Sequence, residues 1–369
     1  MKKITRREFI KNSISWGAVV AAQSLFPEYI YAKEKIITPS IVGVIKDNDI
    51  RKATEQALAI IGGIGKVVKP GQMVFIKPNY IAGGLMGHDP VTAGEIPHPE
   101  VVASVARECV NAGAKHVIIG EWFERPLNII WQGKKNVEGA QVKKLIERIN
   151  KKYGDKVSLV NLREYTKSFI YVPSQSKLDW LAIPDIVKKA DVVISIAVLK
   201  THHWPMAVTF GMKNFMGIMP SVIYGEPRAK LHDAGINQVI VDINKGIKPA
   251  LTVISGAYGM EGEGVVRSFG GKSVDLIQRI NGCLVIAGYD PVATDATATR
   301  LITKGWMPQP KDNDLGVPWY IKHLRLAHQQ GLGQLRQSRI ELRGEKLSDL
   351  AMSWQMPMNN AYPELPNYV

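Results

Sequence analysis

Cysteine is scarce: Cys109 and Cys283 are the only two in 369 residues. Two thiols cannot hold a four-thiolate iron–sulfur cluster and close at most one disulfide, which excludes a disulfide scaffold. Long apolar runs are missing too. No internal stretch reaches the roughly 18 apolar residues that cross a bilayer. Acidic residues are outnumbered, 33 Asp+Glu against 47 Lys+Arg, for a formal charge of +14. The basic residues are dispersed, with neither a basic block nor basic–aromatic interleaving. That dispersal reads first as a solvated basic surface; it leaves an anionic small-molecule pocket open and gives no nucleic-acid motif. The chain also lacks a Gly-x-x-x-x-Gly-Lys phosphate loop, a His-Glu-x-x-His zinc helix and a Gly-x-Ser-x-Gly elbow. Gly62-Gly63-Ile64-Gly65 follows a helical pattern rather than a strand, so it is no dinucleotide loop.

What is present is a globular balance, 46% hydrophobic and 22% charged, enough apolar surface to offset chain entropy. The N-terminus carries Arg6-Arg7, then Phe9, Ile10 and Lys11, then a soft apolar stretch over Ile14–Ala22. This pattern matches a twin-arginine export signal, with cleavage expected after Ala32. It implies the export machinery as a partner, an extracytoplasmic or periplasmic location, and no stable membrane anchor after cleavage. The organisation expected is a signal over 1–32, an α/β domain over 33–305 and a C-terminal extension over 306–369 packed on it.

Apolar runs at Ile41–Ile45, Met73–Ile76, Val117–Gly120, Val157–Leu162, Asp191–Val198, Ala250–Ile254 and Cys283–Ala287 alternate with amphipathic segments. The latter predict helices over Ile50–Ile61, Pro99–Asn111, Gln141–Lys152, Leu231–Gly246 and Pro291–Ile302. Cys109 falls on an apolar stripe and reads as core. Buried-type strands between helices predict a mostly parallel sheet covered by helices on both faces, a Rossmann-like three-layer α/β architecture.

Ligands of such sheets sit beyond the carboxyl ends of the strands. Lys77 and Asn79, Glu121, Lys200 with His202 and His203, Glu261 and Asp290 follow successive strands. Lys213-Asn214 stands alone in an apolar segment, Asn214 reading equally as a helix C-cap. Asp295 lies one turn beyond Asp290, which also suits a helix cap. His232 shares the apolar face of Ile236 and reads as a core histidine.

These segments together resemble the family known as domain of unknown function 362. The resemblance rests on Val74–Asn79, His98–Val102, Gly113-Ala114, Gly120-Glu121, Val198–His202, Thr209–Gly217, Gly256–Gly264 and Gly288–Asp295. The family is often labelled iron–sulfur-associated, and some members carry a ferredoxin-like module, for which this chain has no cysteines. It also has Ser255 and Val265 where the pattern tends to have Asp and Pro.

The expected function is an exported enzyme or ligand-binding protein acting on a small anionic ligand, with no cofactor identified. Lys200, His202 and Lys213 are the candidate catalytic residues. Lys77, Asn79, Glu121, Asn214, Glu261, Asp290 and Asp295 are the candidate binding residues, with His202 moving the proton. Two alternatives stand beside it: an accessory protein for a redox partner, and a metal-dependent enzyme using Glu121, His202, His203 or His232.

Overall fold

A computed structural model describes residues 39–80, 88–123, 139–203, 205–226, 228–304 and 312–357. The segment expected to be an export signal, its expected cleavage point after Ala32 and the far end of the expected C-terminal extension lie outside these residues.

The strands are β1 (Ser40–Asp47), β2 (Met73–Pro78), β3 (His116–Glu121), β4 (Val157–Asn161), β5 (Phe169–Pro173), β6 (Trp180–Pro184), β7 (Val192–Lys200), β8 (Leu251–Gly262), β9 (Gly271–Asp275), β10 (Cys283–Gly288) and β11 (Ile340–Gly344). The helices used below are α1 (Ile50–Ile60), α2 (Pro99–Asn111), α3 (Gly139–Tyr153), α4 (Gly211–Asn214), α5 (Ile236–Ile247), α6 (Pro291–Ile302) and α7 (Lys322–Gln329).

Nine strands form one sheet of order β11-β1-β10-β8-β7-β2-β3-β4, with β9 paired to the far half of β8. The five strands β8, β7, β2, β3 and β4 are mutually parallel. Their side chains alternate between two apolar layers: Val74, Ile76, Ile194 and Ile196 pack with α1, α2 and α3, whereas Phe75, Val193 and Ala197 pack with α4, α5, α6 and α7. Each fully buried aliphatic chain contributes about 1.5–3 kcal/mol, which explains why the strands read as unbroken apolar runs. Caps set the helix starts. The Asp49 carboxylate accepts from Arg51 N at 2.9 Å and Lys52 N at 3.2 Å, and Pro99 opens α2. Cys109 is buried in α2, and both cysteines are free.

The sheet departs from expectation on one side. β10 runs antiparallel to both β8 and β1. A parallel neighbour needs a long crossover, usually helical. Here the chain turns back through β9 and a helix of 5 residues, Leu276–Ile280, before β10 begins. β8 extends to Gly262, so Ser255-Gly256 and Glu261 lie inside a strand rather than beyond it. The helix expected over Leu231–Gly246 is broken at Gly235, whose φ of 97° no helix admits. β5 and β6 form a separate hairpin. In the C-terminal stretch β11 adds to β1 in parallel, and Thr303 bridges Ser353. No helix among the described residues is long and apolar enough to cross a membrane.

Candidate functional site

Because β2, β3 and β7 are adjacent and parallel, Lys77, Glu121 and Lys200 emerge at one edge of the sheet. The Lys77 ammonium is 1% exposed. It donates to Glu121 Oε2 at 2.5 Å, to the Pro78 carbonyl at 2.7 Å and to Asn214 Oδ1 at 3.0 Å. Glu121 Oε2 also accepts from Tyr80 N at 3.0 Å. Burial pushes the Lys77 amine down and the Glu121 carboxyl up, and their contact opposes both shifts. Gly217 lies against this pair: a Cβ there would overlap Glu121 Oε1 and sit 2.7 Å from Lys77 Nζ.

Lys200, also 1% exposed, donates to Asn79 Oδ1 at 2.9 Å and to the carbonyls of Glu95 at 2.7 Å and Val265 at 3.3 Å. Three donors thus meet three neutral oxygens, and no carboxylate touches the charge. Burial first, then the Lys213 charge, lowers the Lys200 amine to about 7.

Lys213 reaches the same edge from α4, a single turn held in place from beneath. Gly211 N and Met212 N donate to the two Asp295 oxygens at 2.8 and 2.9 Å, and Ser195 Oγ donates to the Gly211 carbonyl at 2.9 Å. Burial raises the Asp295 carboxyl to about 7, against the pull of those two donors. Asn214 is no simple C-cap. Its Nδ2 donates to Lys77 O at 2.8 Å and Ser195 Oγ at 3.0 Å, and its Oδ1 receives Lys77 and Asn79. Among the described residues, the partly exposed Lys213 ammonium has no hydrogen-bond acceptor or ion pair. Burial, then Arg228 and Lys77, lowers its amine to about 7.

His202 is 4% exposed, its Nδ1 lying 3.0 Å from the His203 carbonyl, with ring centroids of the two histidines 4.2 Å apart. Burial, Lys213 and His203 push His202 well below the ordinary imidazole range, so it stands neutral rather than poised near pH 7.

The structure thus brings together Lys77, Asn79, Glu121, Lys200, His202, Lys213 and Asn214, with Asp295 supporting them from below. Two candidates lie elsewhere. Because β10 is reversed, Gly288 pairs with Thr252 near the start of β8, and Asp290 emerges at the opposite edge. There its Oδ1 caps α6 through Val292 N and Ala293 N at 2.9 Å each, and its Oδ2 accepts from Ser40 Oγ at 2.7 Å and Gln334 N at 2.8 Å. Glu261 projects from the β8 extension and accepts from Gln355 N at 2.7 Å. His232 is exposed rather than core, because the break at Gly235 turns its short helix out of register with α5.

Three contributors were not anticipated. Glu95 supplies a carbonyl to Lys200, while its fully buried carboxylate accepts from Arg267 N at 3.0 Å. Arg228, in a left-handed conformation with φ 71°, donates to the Met219 carbonyl at 2.7 Å and the Trp122 carbonyl at 3.2 Å. His323 of α7 is fully buried with both ring nitrogens unpartnered. Burial and the Lys213 charge lower it to about 3.

Metal chemistry finds little support in the donor set. Glu121 is occupied by Lys77 and Tyr80, and no group of three or more His, Cys, Asp and Glu gathers among the described residues. An iron–sulfur cluster does not fit two buried cysteines placed on α2 and β10.

The apoprotein of lactate racemase from Thermoanaerobacterium thermosaccharolyticum matches at a TM-score of 0.36 and 13% identity, over 58% of this chain and 50% of that one. A thylakoid-associated protein, sll1697 of Synechocystis sp. (strain ATCC 27184 / PCC 6803 / Kazusa), is 28% identical over 210 residues, 55% of this chain. The matched region spans 57% of that relative's length. The family model described as "Domain of unknown function (DUF362)" matches residues 74–300, which include every residue of the lysine cluster. On that match the chain belongs to the DUF362 family.

Proposed function

We propose that this protein binds a small anionic ligand at the carboxyl edge of β2, β3 and β7, with Lys213 as the group that meets it. One observation carries the reading: Lys77 and Lys200 each spend three donors on protein oxygens, whereas Lys213 spends none on any described residue. Lysine is rarely withdrawn from solvent without a partner. Here the charges of Lys200, Lys77 and Arg228 add a positive field that Glu121 and Glu95 partly offset. Such a field favours a carboxylate or phosphate and resists a cation. Lys77 and Lys200 act through charge and position rather than direct contact, a narrower role than the sequence suggested for them.

The test is calorimetric titration with inorganic phosphate and acetate, neither of which forms an imine, between pH 6 and pH 9. Lys213 is charged below about 7 and loses its proton above it. Affinity should therefore fall by about tenfold or more as pH rises through that range, since a charge-assisted hydrogen bond is worth about 1.5–3 kcal/mol. Binding that ignores pH, or that survives Lys213→Met unchanged, overturns the reading.

The Arg6-Arg7 segment supports export as part of the same proposal. The periplasmic fraction is expected to hold a chain beginning at Lys33, and Arg6→Lys with Arg7→Lys to retain the protein in the cytoplasm. Equal export of that variant by N-terminal sequencing rejects the twin-arginine reading.

A further inference from the structure

Resting on that anion-binding reading, we propose that Lys213 captures the carbonyl carbon of a small oxo acid as an imine, because its amine is the one lysine nitrogen of the cluster left without a partner among the described residues. The substrate class is a carbonyl compound bearing a carboxylate.

Three observations converge. First, the three lysines of the cluster differ in what surrounds them. The donors of Lys77 and Lys200 are engaged and their ammoniums 1% exposed, so neither is free to attack; Lys213 is partly exposed and unengaged. Second, Lys213 sits in the field of Lys200, Lys77 and Arg228, and burial acts in the same direction. A lysine becomes a nucleophile when desolvation and a neighbouring cation favour its neutral form. Third, the fully buried His323 lies within electrostatic reach of Lys213 with both ring nitrogens unpartnered. Thr209, whose N–H donates to the Lys200 carbonyl at 3.0 Å, has a buried hydroxyl oxygen that is likewise unpartnered. Buried polar atoms left without partners are groups that a polar ligand would satisfy.

The chemistry balances without a co-reactant. The Lys213 lone pair attacks the carbonyl carbon, the C=O electron pair moves onto oxygen, and one nitrogen proton passes to that oxygen to give a carbinolamine. The hydroxyl then takes a further proton and leaves as water while the nitrogen lone pair forms C=N. His203, partly buried and facing Lys213 and Glu263, and the exposed His232, whose ring senses Lys213, His203 and Asp233, are the neighbouring groups able to relay protons. His202 faces Lys213, Lys200 and His203 and remains neutral.

The experiment is reductive trapping of the full-length protein with pyruvate and sodium cyanoborohydride, read by intact mass and peptide mapping. The expected adduct is one per chain, weighs pyruvic acid less one oxygen atom, and maps to Lys213. Labelling should rise from pH 6 to pH 8, and acetone, the neutral ketone of matching size, should label about tenfold more slowly for want of the charge. Lys213→Arg keeps the cation but cannot form an imine. It should bind pyruvate in calorimetry and give no adduct, and its melting curve shows whether it has folded. An adduct that maps elsewhere or persists in Lys213→Arg overturns the proposal. Pyruvate that binds wild-type protein yet leaves no adduct overturns imine capture while leaving the anion site standing. Absence of both binding and adduct removes both.

Discussion

Glu121→Ala is expected to cost about 3–5 kcal/mol of folding stability, because it leaves the buried Lys77 charge without its counter-ion. The wild-type pair is almost wholly withdrawn from solvent, with side chains 1% and 5% exposed. Mutual attraction and three further hydrogen bonds, to Pro78 O, Asn214 Oδ1 and from Tyr80 N, are what offset the cost of desolvating two ions. Removing the carboxylate also strands the Tyr80 N–H and opens space beside Gly217. The loss should depend on pH in a definite sense. Burial already depresses the Lys77 amine, and Glu121 holds it up. In the variant it falls further, so the unfolded chain binds the extra proton over a wider range and stability rises with pH across that range. The gap between variant and wild type should therefore be widest near pH 6 and narrow by pH 9. Replacing both partners, as in Lys77→Met with Glu121→Leu, should recover most of the loss, since apolar residues of similar volume substitute well for a buried pair. Urea denaturation of the three proteins provides the comparison. A loss below about 1 kcal/mol for Glu121→Ala would mean that the charges are solvated and contribute as a surface pair does.

The site was legible in the sequence where strand direction could be inferred correctly. Lys77, Glu121 and Lys200 each close a buried apolar run, and runs joined by long helical crossovers are parallel, so their ends share an edge. Asp290 closes a run that looks the same, but a run of apolar residues carries no direction. The short connection through β9 and Leu276–Ile280 does, and it reverses β10 and sends Asp290 to the opposite edge as a helix cap. Glu261 lies away from the lysines for a related reason. β8 continues seven residues past Ser255, so a residue expected in a loop lies in a strand extension. Tertiary supports were hidden altogether. Asp295 reads in the sequence as one turn beyond a cap; only the packing of α6 against α4 shows its carboxylate capping the start of the turn that carries Lys213. His323 lies in an amphipathic segment where a histidine carries no positional signal, and its unpartnered ring is visible only once α7 is packed.

Lys213→Met should abolish anion binding and, in the same protein, raise stability by about 1–3 kcal/mol near pH 6. The two effects have one cause. Among the described residues the partly exposed Lys213 ammonium has no acceptor, and its amine is lowered from 10.5 to about 7 by burial, Arg228 and Lys77. A lysine depressed in the folded state costs stability in full below its folded pKa. Above that value the unfolded chain holds a proton that the native chain has released, so the cost fades as pH rises and is gone near the unfolded value. The advantage of the variant should accordingly be full at pH 6, shrink through pH 8 and vanish by about pH 10.5. The partial exposure of Lys213 puts the size below what the shift alone implies. Removing its charge also relieves Lys200, for which Lys213 is the largest neighbouring charge. Asp295 titrates in the opposite sense: its carboxyl, raised from 3.8 to about 7, makes stability fall as pH rises between those values. That contribution is present in both proteins and cancels in their difference, so paired denaturation curves isolate Lys213 together with the relief of Lys200. A residue kept for structure is missed when it is removed, whereas one kept for a ligand leaves the empty fold more stable. Loss of stability in Lys213→Met near pH 6, or a gain that does not decay toward high pH, would show that the ammonium is supported by the fold and not reserved for an anion.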